Sequence, residues 1–223
     1  MDSKDLNLIK IWVRNDDVSR CDDKYCQIIQ VYKKYDVFTV LCAIPTIIEK
    51  ECFDLVKNYD NFVLSQHGYS HKNYGKLYSS RYSIELSDDR DINEVISQML
   101  EGKNKLESIS QMPVNILTPP YNRIDKDVEK KLSEYYMTLS VFGDYKSSFK
   151  RDFNPCIDVI DWKSRSLDKK HFELKLEEKM KSLNEIGICI HHNFLATEDI
   201  LYLDEVFNTL SKDKRVVLSR RLL

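Results

Sequence analysis

The run VFTVLCAI at residues 37–44 narrows the choice of fold more than any other stretch of the chain. Thr39 is its one polar side chain, so the segment has no face suited to water. A strand of this kind needs cover on both sides, and that environment belongs to a parallel sheet layered with helices.

The segments around it alternate as such a sheet requires. Residues 9–14 (IKIWVR) alternate apolar and polar side chains, and 22–35 follows with Tyr25, Ile28, Ile29 and Tyr32 at helical spacing. Pro45 is expected to open a helix that turns Ile48, Phe53 and Val56 inward. Residues 62–64 form a short strand, and 114–117, 138–142, 157–160, 187–191 and 216–218 read as further strands. Helices are expected at 92–108, 126–135, 169–183 and 199–210. No GxGxxG fingerprint accompanies the alternation, and about seven parallel strands fall short of a regular eightfold barrel of about 250 residues. The expected fold is therefore α/β, a distorted and incomplete (β/α) barrel. No repeat, low-complexity tract or proline-glycine linker divides the chain, so residues 1–223 are expected to form one catalytic domain.

Composition excludes several partners. With 42% apolar and 31% charged residues and a net charge of −2 spread along the chain, no basic face is expected for nucleic acid. No apolar run approaches the roughly 18 residues of a membrane span, and the polar N-terminus does not resemble a signal peptide. A cytoplasmic location is expected. The six cysteines lack a CxxC pair and read as reduced thiols, mostly buried.

Chemistry-bearing residues gather at five strand ends. They are Asn15-Asp16-Asp17, His67 to His71, Thr118-Pro119-Pro120-Tyr121, Asp161-Trp162 and His191-His192. Each has a plain structural reading as a turn, a cap, a strand break or a satisfied strand end. Their shared position, at the carboxyl ends of barrel strands where active sites are built, is what those readings leave unexplained. The spacing of His67 and His71 can aim two imidazoles at one ion. The polar, tyrosine-rich stretch from 72 to 89 is long for a connection and reads as a functional loop overhanging the site.

In this order the clusters resemble the five motifs of the polysaccharide deacetylases of carbohydrate esterase family 4, the NodB-homology group, across roughly residues 9–218. Ile190-His191-His192 resembles the fifth motif. The resemblance implies that Asp17, His67 and His71 hold a divalent metal ion, zinc first, with cobalt, nickel and iron open to the same donors. It implies Asp16 as general base and the Tyr121 backbone N–H as oxyanion donor. His192 is the first choice of acid for the leaving amine, because strand alternation pairs it with Ile190, and His191 is the alternative. Asp161 would orient that acid, while Trp162, Pro120 and Ile190 would line the substrate site. One departure stands out: the family's third motif opens with an arginine where this chain has Thr118, and Arg14 is the candidate replacement. The pattern looks closer to divergent intracellular relatives than to secreted chitin or peptidoglycan deacetylases. The implied activity is removal of an N-acetyl group from an amino sugar, supplied as a small carbohydrate or nucleotide sugar. The alternatives are hydrolysis of another amide or ester, and a catalytically silent sugar-binding domain.

Overall fold

The computed structural model describes residues 8–75, 77 and 82–218. Its strands and helices are, in chain order, β1 (Ile9–Val18), α1 (Asp23–Lys34), β2 (Thr39–Ala43), α2 (Glu51–Asp54), β3 (Phe62–His67), α3 (Ile92–Ser110), β4 (Val114–Thr118), α4 (Lys126–Leu132), β5 (Thr138–Leu139), β6 (Arg151–Asp152), β7 (Ile157–Asp158), β8 (Ile160–Asp161), β9 (Ser166–Leu167), α5 (Lys169–Ser182), β10 (Glu185–Ile190), α6 (Thr197–Lys212) and β11 (Val216–Val217). Two 3-10 turns, Pro120–Asn122 and His192–Phe194, follow β4 and β10.

The main sheet runs β6-β5-β4-β3-β2-β1-β10-β7, with β11 beside β1, and every pairing is parallel. It curls into a half-barrel with helices outside, the incomplete (β/α) barrel that the alternation predicts. The sheet has two different faces. Ile11, Val13, Leu41 and Ile188 belong to the large cluster shared with α1 and α6. Trp12, Phe38, Val40, Cys42, Ile116 and Phe153 form a second, small cluster on the inner face. Trp12 stacks on Phe153 with ring centroids 3.7 Å apart. Gly187 makes room for that ring, because a Cβ there would lie 2.4 Å from it. Aromatic packing thus fills the lower lumen and leaves the upper lumen for polar groups.

Local chemistry explains where elements begin and stop. The Asp22 carboxylate accepts from the Tyr25 N–H and caps α1, as Asp91 caps α3 and Asp168 caps α5. The helix expected from Pro45 is absent: residues 45–50 form turns, with Ile48 N–H bonded to the Ile44 carbonyl, and only the single turn α2 is helical. The strand expected at 138–142 stops at Leu139, because Val141 N–H turns to the Asn154 side chain. The strand expected at 157–160 splits at Val159, where Asp158 captures the Ile160 N–H and redirects the chain into the β8–β9 hairpin. All six cysteines are free; Cys42, Cys52 and Cys189 are buried and the others half-buried. No helix among the described residues is long and apolar enough to cross a membrane.

Candidate active site

The upper end of β1 departs from regular strand geometry. Its pairing with β2 holds register to Asn15↔Leu41 and then slips, so that Val18 faces Ala43. Asp16 and Asp17 occupy the slip, and Asp17 takes a left-handed φ of 60°. Neighbouring side chains on a strand point to opposite faces, and the bulge cancels that alternation. Both carboxylates reach the barrel mouth. Aspartate tolerates this backbone better than most residues, at a cost of about 1 kcal/mol.

Asp17 Oδ1 lies 3.2 Å from His67 Nε2 and 3.2 Å from His71 Nε2. The three donor atoms all fall within 4.8 Å of one another. The contacts are short but not aligned as hydrogen bonds, and Asp17 Oδ1 stays a buried oxygen without a hydrogen-bond partner. Two imidazole nitrogens and a carboxylate oxygen that face a common point, with room left over, are the donor set of an open divalent-metal site. The residues present therefore fit the ion. Burial opposes the charge on Asp17, but the two imidazoles more than offset it and hold the carboxyl well below its ordinary range. His67 Nδ1–H donates to the Thr118 carbonyl at 2.9 Å, which leaves Nε2 as the free donor. His71 arrives on a loop with φ of 57°, and buried Glu85 accepts from the backbone N–H groups of Tyr69, Ser70 and His71.

Asp16 has a different partner. The buried Arg14 guanidinium donates to Asp16 Oδ2 at 2.8 Å, to Asn122 Oδ1 at 2.7 Å and to the Ser140 carbonyl at 3.2 Å. Burial disfavours the Asp16 anion, yet Arg14, His191 and His67 together keep its pKa below the usual carboxylate value. Its other oxygen, Oδ1, is buried and has no hydrogen-bond partner. Thr118 instead shares a 2.7 Å hydroxyl contact with Ser65. The cation comes from β1, two residues before Asp16 and on the same face.

At the end of β10 the alternation persists. β1 and β10 pair Arg14↔Cys189 and Asn15↔Ile190, so Cys189 and His191 share the face of Arg14 and Asp16. His191 Nε2 stands 3.6 Å from Asp16 Oδ2. His192 turns the other way, its Nδ1 3.2 Å from the Asn15 side-chain amide and its ring against Tyr25. Burial pushes its pKa down to about 4. Ile190 is fully buried in the large cluster. The sequence-based placement of His192 and Ile190 at the site is thus corrected: the strand's inner face carries the odd-numbered residues.

Asp161 does not orient either histidine. Its oxygens accept from Lys163 N–H and the Ser164 hydroxyl, both at 3.0 Å, and close its own turn. Asp158 takes the Trp162 indole N–H at 2.8 Å and sets that half-exposed ring edge-on to His191, 4.7 Å away. A groove of about 710 Å³ extends from Trp162 past Phe142, Ile160 and Lys163. Pro120 is buried in the 3-10 turn after β4, and Tyr121 there takes φ of 61° while its hydroxyl donates to the His71 carbonyl at 2.9 Å. Of the stretch expected to overhang the site, residues 76 and 78–81 lie outside the described residues. Its base is clamped, with Tyr74 N–H bonded to the Ile84 carbonyl at 2.8 Å.

This fold, with acidic, histidine and Pro-Pro-Tyr clusters at successive strand ends, is that of the polysaccharide deacetylases. The chain belongs to that family, whose model, described as polysaccharide deacetylase, matches residues 9–140. No curated protein matches it in sequence. Among solved structures it is similar to the peptidoglycan deacetylase PdaC from Bacillus subtilis, with 18% identity and a TM-score of 0.65 over 96% of this chain and 88% of that one. A family 4 carbohydrate esterase from Bacillus anthracis gives 12% identity and 0.60, covering 96% and 81%. BA3943, a CE4 family pseudoenzyme from Bacillus anthracis, gives 16% and 0.60, covering 94% and 62%. At these identities the likeness concerns the fold alone.

Proposed function

We propose that this chain is a metal-dependent carbohydrate N-deacetylase that hydrolyses the N-acetyl group of an amino sugar. The observation that carries the reading is Asp16, a buried carboxylate with one oxygen held by Arg14 and the other unpartnered, set beside the three donors of Asp17, His67 and His71. A divalent ion held by those three supplies a Lewis acid for the acetyl carbonyl and makes a nearby water more acidic. Zinc suits two imidazoles and a carboxylate, and cobalt, nickel or iron can occupy the same donors.

The remaining roles fall to the chain itself. Asp16 Oδ1 accepts the proton of the attacking water, because Oδ2 is occupied by Arg14. The Tyr121 backbone N–H donates to the developing oxyanion. His191 delivers a proton to the amine nitrogen as the C–N bond breaks, and Trp162 braces that imidazole while offering its exposed ring to the sugar.

Metal content and acetate release from N-acetylated saccharides test the reading together. Wild type is expected to bind one ion and release acetate. Asp16→Asn should keep the ion and lose turnover by at least about 10²-fold, since an amide keeps the shape but takes no proton. Asp17→Asn should lose the ion. Metal uptake without acetate from any N-acetyl sugar would leave a sugar-binding domain instead, and exchanged phenotypes would exchange the two aspartates.

A further inference from the structure

We propose that Glu85 is the positioning residue of the metal centre: the backbone of the His71 loop is moulded on its carboxylate, and the affinity for the ion is set through it. This rests on the reading of Asp17, His67 and His71 as ligands.

Glu85 is 1% exposed. Its oxygens accept from Tyr69 N–H at 3.3 Å, Ser70 N–H at 2.8 Å, the Ser70 hydroxyl at 3.0 Å and His71 N–H at 3.1 Å. Three consecutive N–H groups converging on one anion are a nest turned inward, with a side chain in place of a bound ligand. The nearby Arg90 guanidinium does not take the charge, because it donates to the Glu85 backbone carbonyl and pairs with Glu94. The approach is close enough to dictate sequence. Gly68 has φ of 62°, and a Cβ there would stand 2.0 Å from Glu85 Oε2.

The consequence falls on His71. Its left-handed backbone is held at both ends, the N–H by Glu85 and the carbonyl by the Tyr121 hydroxyl. His67 sits at the end of β3 and is fixed by the sheet, whereas the backbone of His71 lies on a loop and is held by these two bonds, its ring resting against Tyr121 and His67. Metal ligands must hold their positions tightly, and outer partners supply that order. Glu85 itself is anchored, since Ile84 N–H bonds Asn73 and Leu86 bridges Ile124 in the next loop. Without the carboxylate, ion binding has to order the loop as well.

The test titrates cobalt and zinc into the ion-free full chain against a chromophoric chelator, following the visible cobalt spectrum. Glu85→Gln, which keeps the shape but replaces an acceptor oxygen with a donor, should weaken the ion by about 10- to 100-fold. Its cobalt spectrum should move toward that of His71→Ala. Glu85→Asp, which keeps the charge but withdraws it by one methylene, is the second variant and should fall between Gln and wild type. A folded Gln or Asp variant with wild-type affinity and spectrum would overturn the proposal, even if its ion-free form melted earlier. Failure of wild type itself to bind would instead overturn the ligand assignment.

Discussion

β1 and β10 lie side by side, paired from Lys10↔Glu185 to Asn15↔Ile190, and each runs out into two residues of one kind, Asp16-Asp17 and His191-His192. The aspartates both reach the site, because the slip against β2 and the left-handed Asp17 break the alternation of faces. The histidines keep it. His191 faces Asp16, while His192 stays behind the sheet against Asn15 and Tyr25. A strand end therefore delivers both of two adjacent side chains to one site only where its backbone is distorted, and the strain of a left-handed residue is found at the doublet that needs both members.

The largest expected effect would break this comparison if it fell on the wrong histidine. An amine must be protonated as it leaves, whereas an aryloxide departs without a proton, and general acid catalysis contributes about 10²- to 10⁴-fold. His191→Ala should lose that much activity on an N-acetyl sugar and far less on an aryl acetate. His192→Ala should leave the ratio of the two activities unchanged. A selective amide defect in His192→Ala would mean that the end of β10 turns over in the working enzyme.

Arg14 sharpens the comparison from the other strand, because it keeps one member of the used doublet charged inside the barrel. With Arg14→Lys the fork that bonds Asp16 and Asn122 through one nitrogen and Ser140 through the other is lost, and the depressed Asp16 pKa should rise. A base works only when ionised, so the acid limb of kcat/KM should move to higher pH. Activity on the acid side of that limb should fall and recover as pH rises. An unshifted limb with a uniformly lower rate would show that Arg14 supports structure without tuning Asp16.

These contrasts mark where sequence reading succeeds. The apolar run around β2 and the alternation of elements reveal a parallel barrel, because burial on both faces leaves a compositional trace. The donor residues are readable too, as histidine and aspartate doublets at strand ends are uncommon. Facing is harder, since parity depends on whether a single residue takes φ near +60°, and an aspartate in a bulge looks like an aspartate in a turn. Asp161 and Asp158 are three residues apart and chemically alike, and only the fold shows which one holds Trp162. Glu85 lies between Ile84 and Leu86 a few residues before Asp88 and Asp89, with nothing to single it out among these acids, and its meaning appears only when the chain folds back beneath Gly68. Arg14 illustrates the converse: its place on the inner face of β1, two residues before Asp16, is enough to anticipate the pairing of the two.

The smallest expected effect concerns the unused histidine, and it is thermodynamic. Burial drives the His192 pKa from its ordinary 6.5 to about 4, so the folded chain resists a proton that the unfolded chain accepts. Its contribution is therefore fully present above about pH 6.5 and is lost as pH falls toward 4. Between pH 7 and pH 5 the loss amounts to about 2 kcal/mol, at 1.36 kcal/mol per pH unit once the unfolded imidazole is charged. Urea unfolding of wild type and His192→Asn at the two pH values isolates it, because every other titrating group is common to both proteins. The variant should start less stable at pH 7, having lost buried ring contacts, yet lose about 2 kcal/mol less on acidification. An equal loss in both proteins would place His192 in water and remove the contrast between the two strand ends.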